Sequence, residues 1–210
     1  MSRTRLSFAV LLLLVFLVLS GCSLLNTIAG VPTLRGVQGT KLTVAADFQL
    51  TAQSGQRLSL GELQGKVVVL TFMSTTCSAD CQSIAKRLHE TSGQMSNLQE
   101  AGRVAFLAVT TTAETDTVEK AAEFYHQWAM PNNFYFLTGS QEDVESVWNS
   151  YDIPRAGVGA TGEGTRLALI DPKGRLRAYM PAGEFTPDDL RHNIRLLLLE
   201  DNLLTLPLCH

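Results

Sequence analysis

Apolar and polar residues follow one another along this chain in blocks that predict strands and helices in turn. Nearly continuous apolar runs, rich in β-branched residues, cover 67–72 and 104–109 and are typical of strands buried on both faces of a sheet. A shorter run at 134–137 predicts a third strand. Apolar positions at helical spacing predict helices over about 117–129 and 141–151. Strands that alternate with helices indicate βαβ units and a largely parallel sheet.

Two hairpins frame this alternation. Residues 48–60 alternate between apolar and polar around a glycine-containing turn, which predicts an N-terminal hairpin. Residues 167–179 do the same around the turn from Asp171 to Gly174 and predict an antiparallel hairpin near the end of the chain. A capped helix start follows at Thr186 and Pro187. The expected fold class is α/β: a thioredoxin-like fold with a central mixed sheet flanked by helices and an N-terminal hairpin extension.

The N-terminus has the layout of an export signal. Arg3 and Arg5 precede an apolar run from Phe8 to Leu19, which is shorter than the roughly 20 residues that a membrane-spanning helix needs. Small residues then lead into Cys22, an order that resembles the bacterial lipobox, in which the cysteine becomes a lipid-modified N-terminus. Two or more acyl chains anchor a protein stably. The sequence therefore predicts an extracytoplasmic protein attached to a bacterial membrane, inner or outer, through lipidated Cys22.

This layout divides the chain into three parts. We expect a lipoprotein signal peptide at 1–21, a tether at 22–39 and one thioredoxin-like domain at 40–210. The tether is rich in glycine and has no sustained period, so it is expected to add nothing to the stability of the domain.

The composition and net charge limit the classes of partner that the chain is expected to bind. The chain has 17 Lys and Arg against 20 Asp and Glu, a formal net charge of -3, and no basic cluster interleaved with aromatic residues. Nucleic acid is therefore not an expected partner. The chain has 4 cysteines in 210 residues, too few for a small disulfide-stapled scaffold, which favours cysteines kept for their chemistry.

Cys77 and Cys81 lie where the strand at 67–72 gives way to a helical pattern. A spacing of four residues, about one helical turn, allows a disulfide if the first turn deforms slightly. Unpaired amides at a helix start stabilise a thiolate, so Cys77 is predicted to be the more reactive thiol. The alternative is that both are small apolar residues on a buried helix face. Cys209, next to the C-terminus, is interpreted as a tail cysteine without a defined role.

Two thiolates also suit a soft metal such as Cu(I), but such a pair usually needs a further ligand. His89 lies two turns along the helix from Cys81, about 12 Å away along the axis, too far to share an ion. His126 and His192 fall in other predicted helices and are interpreted as surface or packing residues. Copper is therefore a cofactor that the cysteines allow and do not assure.

The sequence resembles the Sco/SenC family of membrane-anchored, thioredoxin-fold proteins that assemble the copper site of cytochrome c oxidase. The resemblance covers most of the mature chain, and the spacing Cys77-x-x-x-Cys81 is its most specific element. The other matching segments are 47–51, 54–56, 63–70, Asp116 with Thr117, 136–140 and 169–174. The resemblance implies a copper-site or disulfide/dithiol protein partner, and Cys77 and Cys81 as copper ligands.

The chain departs from the family at several positions. Ser78 and Gln82 stand where the family usually has proline, and Thr112 with Ala113 replaces an acidic Asp-Pro turn. Glu163 falls at the place of the family's copper-binding histidine, and a carboxylate is a poor substitute for imidazole at Cu(I). Thr165 takes the place where thioredoxin-like proteins often have a cis-proline. We expect Glu163 to lie near the cysteine pair.

Three functions remain open from the sequence. The first is thiol-disulfide exchange through Cys77 and Cys81, in the assembly of a respiratory oxidase or its copper site. The second is a copper metallochaperone that uses the same cysteines with a third ligand that the sequence does not identify. The third, ranked lower, is a peroxiredoxin-like peroxidase, because Ser74 to Cys77 resembles the T-x-x-C of that family.

Overall fold

The computed structural model describes residues 33–37, 42–76, 79–95, 102–153 and 166–205. Eight strands and four α-helices lie in these ranges, with one turn of 3-10 helix at Gly61–Leu63. The strands are β1 (Thr43–Val44), β2 (Gln49–Ala52), β3 (Arg57–Ser59), β4 (Val67–Met73), β5 (Val104–Thr110), β6 (Phe134–Thr138), β7 (Arg166–Ile170) and β8 (Arg175–Pro181). The helices are α1 (Ala79–Gln94), α2 (Val118–Gln127), α3 (Gln141–Ser150) and α4 (Pro187–Thr205). The predicted signal peptide and Cys22 lie outside the described residues.

All described strands form one mixed sheet, in the order β1-β8-β7-β4-β5-β6-β2-β3. The three central strands β4, β5 and β6 are parallel, and each is joined to the next by a helix. Every other pairing is antiparallel, including the hairpins β2-β3 and β7-β8. The predicted α/β class, the two hairpins and the mixed sheet are therefore confirmed.

The continuous apolar runs of β4 and β5 arise, as predicted, from burial of these strands on both faces of the sheet. Both strands are buried at all seven positions, because helices cover one face of the sheet and α3 covers the other. On the first face α1, α2 and α4 pack through Ile84, Phe124 and Ile194. On the second face Val144 and Trp148 of α3 pack against the even-numbered residues of β4. Side chains of a strand alternate between the faces, so each face receives its own apolar set.

The folded unit begins earlier than the predicted tether boundary at residue 39. It starts at Leu34, and Leu34 and Val37 pack against the core on the α4 face. The side chain of Asn193, fully buried in α4, accepts a hydrogen bond from the Arg35 amide at 2.7 Å and donates one to the Arg35 carbonyl at 2.9 Å. Residues 34–37 therefore pack against the domain, and we expect these contacts to contribute to its stability, against the prediction that the tether adds nothing.

The described helices also bear on membrane topology. None of them combines the length and the apolar character that a bilayer crossing requires.

Candidate redox site

The site is built at the sheet edge where the three parallel strands end. Met73 at the end of β4 pairs with Thr110 at the end of β5, and Val109 pairs with Leu137 near the end of β6. The loops after these strands therefore meet at one edge, as the carboxyl ends of parallel strands do. The antiparallel strand β7 starts at this same edge, since Ala168 pairs with Leu70.

Cys81 lies in the first described turn of α1, beside this edge. Its side chain is 6% exposed, and its sulfur lies 3.8 Å from the carbonyl oxygen of Ser74. The sulfur is in a disulfide bond, and the other three cysteines of the chain all lie outside the described residues. On reduction, the freed thiol is placed to donate a weak S–H···O hydrogen bond to Ser74.

A buried carboxylate, Asp116, lies behind the loop that leads to Cys77. It is 1% exposed, and both of its oxygens accept hydrogen bonds. Oδ1 accepts from the Thr75 hydroxyl at 2.5 Å and from the Ser74 hydroxyl at 3.4 Å. Oδ2 accepts from the Thr75 amide at 3.1 Å and from the Thr110 hydroxyl at 2.6 Å. Four neutral donors thus occupy the four acceptor positions that a carboxylate offers.

Further hydrogen bonds fix the position of Asp116. Its amide donates to the Thr112 carbonyl at 2.9 Å, and its carbonyl accepts from the Thr138 hydroxyl at the end of β6 at 2.6 Å. The Thr112 hydroxyl lies 2.8 Å from that of Ser74. The loops after β4 and β5 and the end of β6 are therefore joined through one residue, Asp116, by its side chain and its backbone together.

In the sequence, Asp116 stood out only as part of the family resemblance, and its hydrogen-bond network was not predicted. The available signal was a run of hydroxyl residues at the end of each of two neighbouring strands, 74–76 and 110–112, with two acids, Glu114 and Asp116, close by. Short hydroxyl side chains at strand ends commonly bond to loop backbone. Which acid they share is decided by the meeting of the loops.

Several predicted site residues cannot be placed. Cys77, Glu163, Thr165 and Cys209 lie outside the described residues, so the cysteine pairing and the expected nearness of Glu163 remain predictions.

The described residues supply little of a copper site. They hold no group of three His, Cys, Asp or Glu side chains that could bind a metal. His89 and His126 are exposed on the helices α1 and α2, and His192 is half-buried on α4. Cys81 is the soft ligand that this part of the chain brings to the edge, while the oxygens of Asp116 are occupied by donors.

The family is decided by a match to the SCO1/SenC family model over residues 37–199. The chain belongs to the SCO1/SenC family. The predicted resemblance is thereby confirmed, and the match includes both Cys77 and Cys81. No curated protein matches the sequence significantly.

Solved structures of Sco proteins share the fold. BsSco, a member of the Sco family of cytochrome c oxidase assembly proteins with a disulfide switch, is 19% identical and has a TM-score of 0.66, with 78% of this chain and 98% of BsSco covered. Copper-bound ScoI of Arabidopsis thaliana is 21% identical with a TM-score of 0.62, covering 75% of this chain and 99% of ScoI. A SCO1/SenC family lipoprotein of Bacillus anthracis is 22% identical with a TM-score of 0.62, covering 79% and 99%. Copper is thus a ligand that Sco folds accommodate.

Proposed function

We propose that this chain is a membrane-anchored, extracytoplasmic Sco protein that exchanges a disulfide with a protein partner through Cys77 and Cys81, in the assembly of a respiratory oxidase or its copper site. The observation that carries the proposal is the oxidised, nearly buried sulfur of Cys81 at the carboxyl edge of a thioredoxin-like sheet. The disulfide switch of BsSco and the lipoprotein relative from Bacillus anthracis support the redox chemistry and the anchor.

The exchange has two steps. In the direction that oxidises this chain, the Cys77 thiolate attacks one sulfur of a partner disulfide, forms a mixed disulfide and releases the other partner sulfur as a thiolate. The Cys81 thiolate then attacks the Cys77 sulfur and releases the second partner thiolate. Two electrons and two protons pass to the partner, and this chain is left with an intramolecular disulfide. The reverse sequence reduces this chain and oxidises the partner.

Single-cysteine variants test these roles. The reduced full chain in detergent is mixed with an oxidised model peptide, and products are followed by intact mass after thiol trapping. The unmodified chain and the matched control Cys209→Ser should both reduce the peptide and end with an intramolecular disulfide. Cys81→Ser should stop at the mixed disulfide, because its resolving thiol is missing. Cys77→Ser should react at least about tenfold more slowly, since the low exposure of Cys81 limits attack.

The assignment fails if Cys77→Ser reacts as fast as the unmodified chain, or if peptide mapping finds Cys81 joined to a cysteine other than Cys77.

Copper-bound ScoI favours a second candidate, a metallochaperone that uses the same two cysteines. Competition with a Cu(I) chelator distinguishes it: bound copper that is lost in both Cys77→Ser and Cys81→Ser supports copper delivery. A chain that exchanges disulfides and binds no copper supports the oxidoreductase. Consumption of peroxide by the reduced chain would instead favour the lower-ranked peroxidase.

A further inference from the structure

We propose that Asp116 is a positioning residue of the cysteine site, and that its carboxylate stabilises the disulfide by holding the preceding loop in the geometry that brings Cys77 and Cys81 together. The inference rests on the proposed function, because it concerns the same pair of cysteines. It assigns a role to a residue that is 1% exposed and acts through Thr75 and Ser74.

The carboxylate of Asp116 holds the loop before Cys77 through several hydrogen bonds. Thr75 lies two residues before Cys77 and gives both its amide and its hydroxyl to Asp116. The amide bond matters most, because a backbone N–H cannot rotate to another acceptor as a hydroxyl can. Ser74 contacts the same carboxylate and also provides the carbonyl that lies 3.8 Å from the Cys81 sulfur. The Asp116 carboxylate is therefore bonded to Thr75, shortly before Cys77, and to Ser74, whose carbonyl lies against the Cys81 sulfur.

The other end of the network is anchored in the sheet. Thr110, the last residue of β5, donates to Oδ2 of Asp116, and its carbonyl accepts from the indole nitrogen of buried Trp148 at 3.0 Å. Thr138 of β6 holds the Asp116 carbonyl. The loop is thus fixed to three strands and to α3, so its conformation is ordered before the sulfurs meet.

Prior ordering changes the redox equilibrium. Forming a disulfide inside a chain costs the conformational freedom of the segment that carries the sulfurs. A loop held by Asp116 has already lost most of that freedom in the dithiol form. When the hold is removed, the dithiol gains freedom and the disulfide does not, so the equilibrium shifts toward the dithiol.

The measurement is the exchange equilibrium of the full chain with glutathione. Two glutathione thiols reduce the protein disulfide and leave as glutathione disulfide, while two electrons and two protons pass to the two cysteines. Asp116→Ala removes all four acceptor positions. We expect at least about a tenfold shift toward the dithiol, which equals about 30 mV for this two-electron couple.

Asp116→Asn separates geometry from charge. Its amide oxygen can replace Oδ2 and accept from the Thr75 amide and Thr110. Its NH₂ group can replace Oδ1, because the hydroxyls of Thr75 and Ser74 can turn and accept. The loop stays held while the carboxylate charge is lost, so the equilibrium should remain within about threefold of that of the unmodified chain.

A matched control distinguishes positioning from general loss of stability. Among the residues that the structure describes, Asp171 is the other buried carboxylate with several donors; it is 3% exposed and holds the β7-β8 turn by accepting hydrogen bonds from Lys173 and Arg175. It follows Ile170, which pairs with Val68 at the start of β4, so the length of a seven-residue strand, about 20 Å, separates it from the cysteine edge. Asp171→Asn should lower the melting temperature and leave the glutathione equilibrium unchanged.

The outcomes are distinct. A tenfold shift in Asp116→Ala with little change in Asp116→Asn and Asp171→Asn supports the proposal. Equal shifts in the Ala and Asn variants, or no shift in either, overturn it. If Asp116→Ala does not fold, Thr75→Val replaces it, because it removes the 2.5 Å hydroxyl bond to the carboxylate and keeps the amide bond; a smaller shift toward the dithiol, about threefold, is then expected, and no shift overturns the proposal. If the unmodified chain has no Cys77-Cys81 disulfide to titrate, the proposed function itself has failed.

Discussion

The docking of residues 34–37 on α4 gives a stability prediction that the structure makes quantitative. The change is Asn193→Leu, which keeps the branched shape of the side chain and removes both hydrogen bonds to the Arg35 backbone. Those bonds are 2.7 and 2.9 Å long, and Asn193 is fully buried beneath the segment. Each intramolecular hydrogen bond contributes about 1 kcal/mol net, so the pair contributes about 2 kcal/mol.

The prediction is a coupling energy between Asn193 and residues 34–37, measured as the difference between the effects of Asn193→Leu in two chains. In a chain that starts at residue 33, Asn193→Leu should lower the free energy of unfolding by about 2 kcal/mol, or the melting temperature by about 4–8 °C for a domain of this size. In a chain that starts at residue 38, Arg35 is absent and the same substitution should cost less than about 0.5 kcal/mol. Urea denaturation of the four proteins, followed by circular dichroism, gives both values and their difference.

The control is Asn202→Leu, at an exposed position of the same helix, which removes a hydrogen bond from Arg103 rather than one from residues 34–37, so its effect should be the same in the two chains. If Asn193→Leu destabilises the two chains equally, Asn193 acts through the core, and residues 34–37 are a tether as the sequence analysis expected.

Two further predictions concern other parts of the domain. Burial raises the pKa of Asp171, but hydrogen bonds from Arg175 and Lys173 and the charge of Arg175 together outweigh burial and lower the pKa below 3.8. A lowered pKa stabilises the fold at any pH above the pKa of the unfolded chain, so Asp171→Asn should melt at a lower temperature than the unmodified chain at pH 7. The difference between the two melting temperatures should close as the pH falls below 3.8. An unchanged difference at pH 3 would contradict this explanation. Glu163→His should raise Cu(I) affinity at least about tenfold, or 1.4 kcal/mol, in chelator competition, because imidazole is the softer ligand; equal affinity in the unmodified chain would mean that another residue completes the site.

Much of the fold was predictable because its signals are local. The runs of β4 and β5 are apolar at every position, and only strands covered on both faces tolerate that pattern. The hairpin turns and the start of α4 at Thr186 depend on neighbouring residues, and the Thr186 hydroxyl accepts from the Asp189 amide as the sequence indicated. The Cys77-x-x-x-Cys81 spacing identified the family for the same reason.

The strand order was not predictable to the same degree. β2 precedes β4 in the chain but pairs with β6, where Thr51 lies opposite Thr138. β1, two residues long, pairs with β8 at the far edge of the sheet. Such pairings depend on contacts between strands that are far apart in sequence. Short strands also have too few residues to show an alternation of apolar and polar positions.

The sequence by itself determined which residues are proposed to carry the chemistry, since the two cysteines, their spacing and the buried strand before them are properties of one continuous segment. Only the tertiary structure decided what holds that segment. Asp116 accepts from Thr75, 41 residues before it in the chain, and from Thr110 at the end of β5, and Asn193 meets Arg35 across 158 residues. A buried polar side chain must find hydrogen-bond partners, but which partners it finds depends on the strands and helices that meet around it.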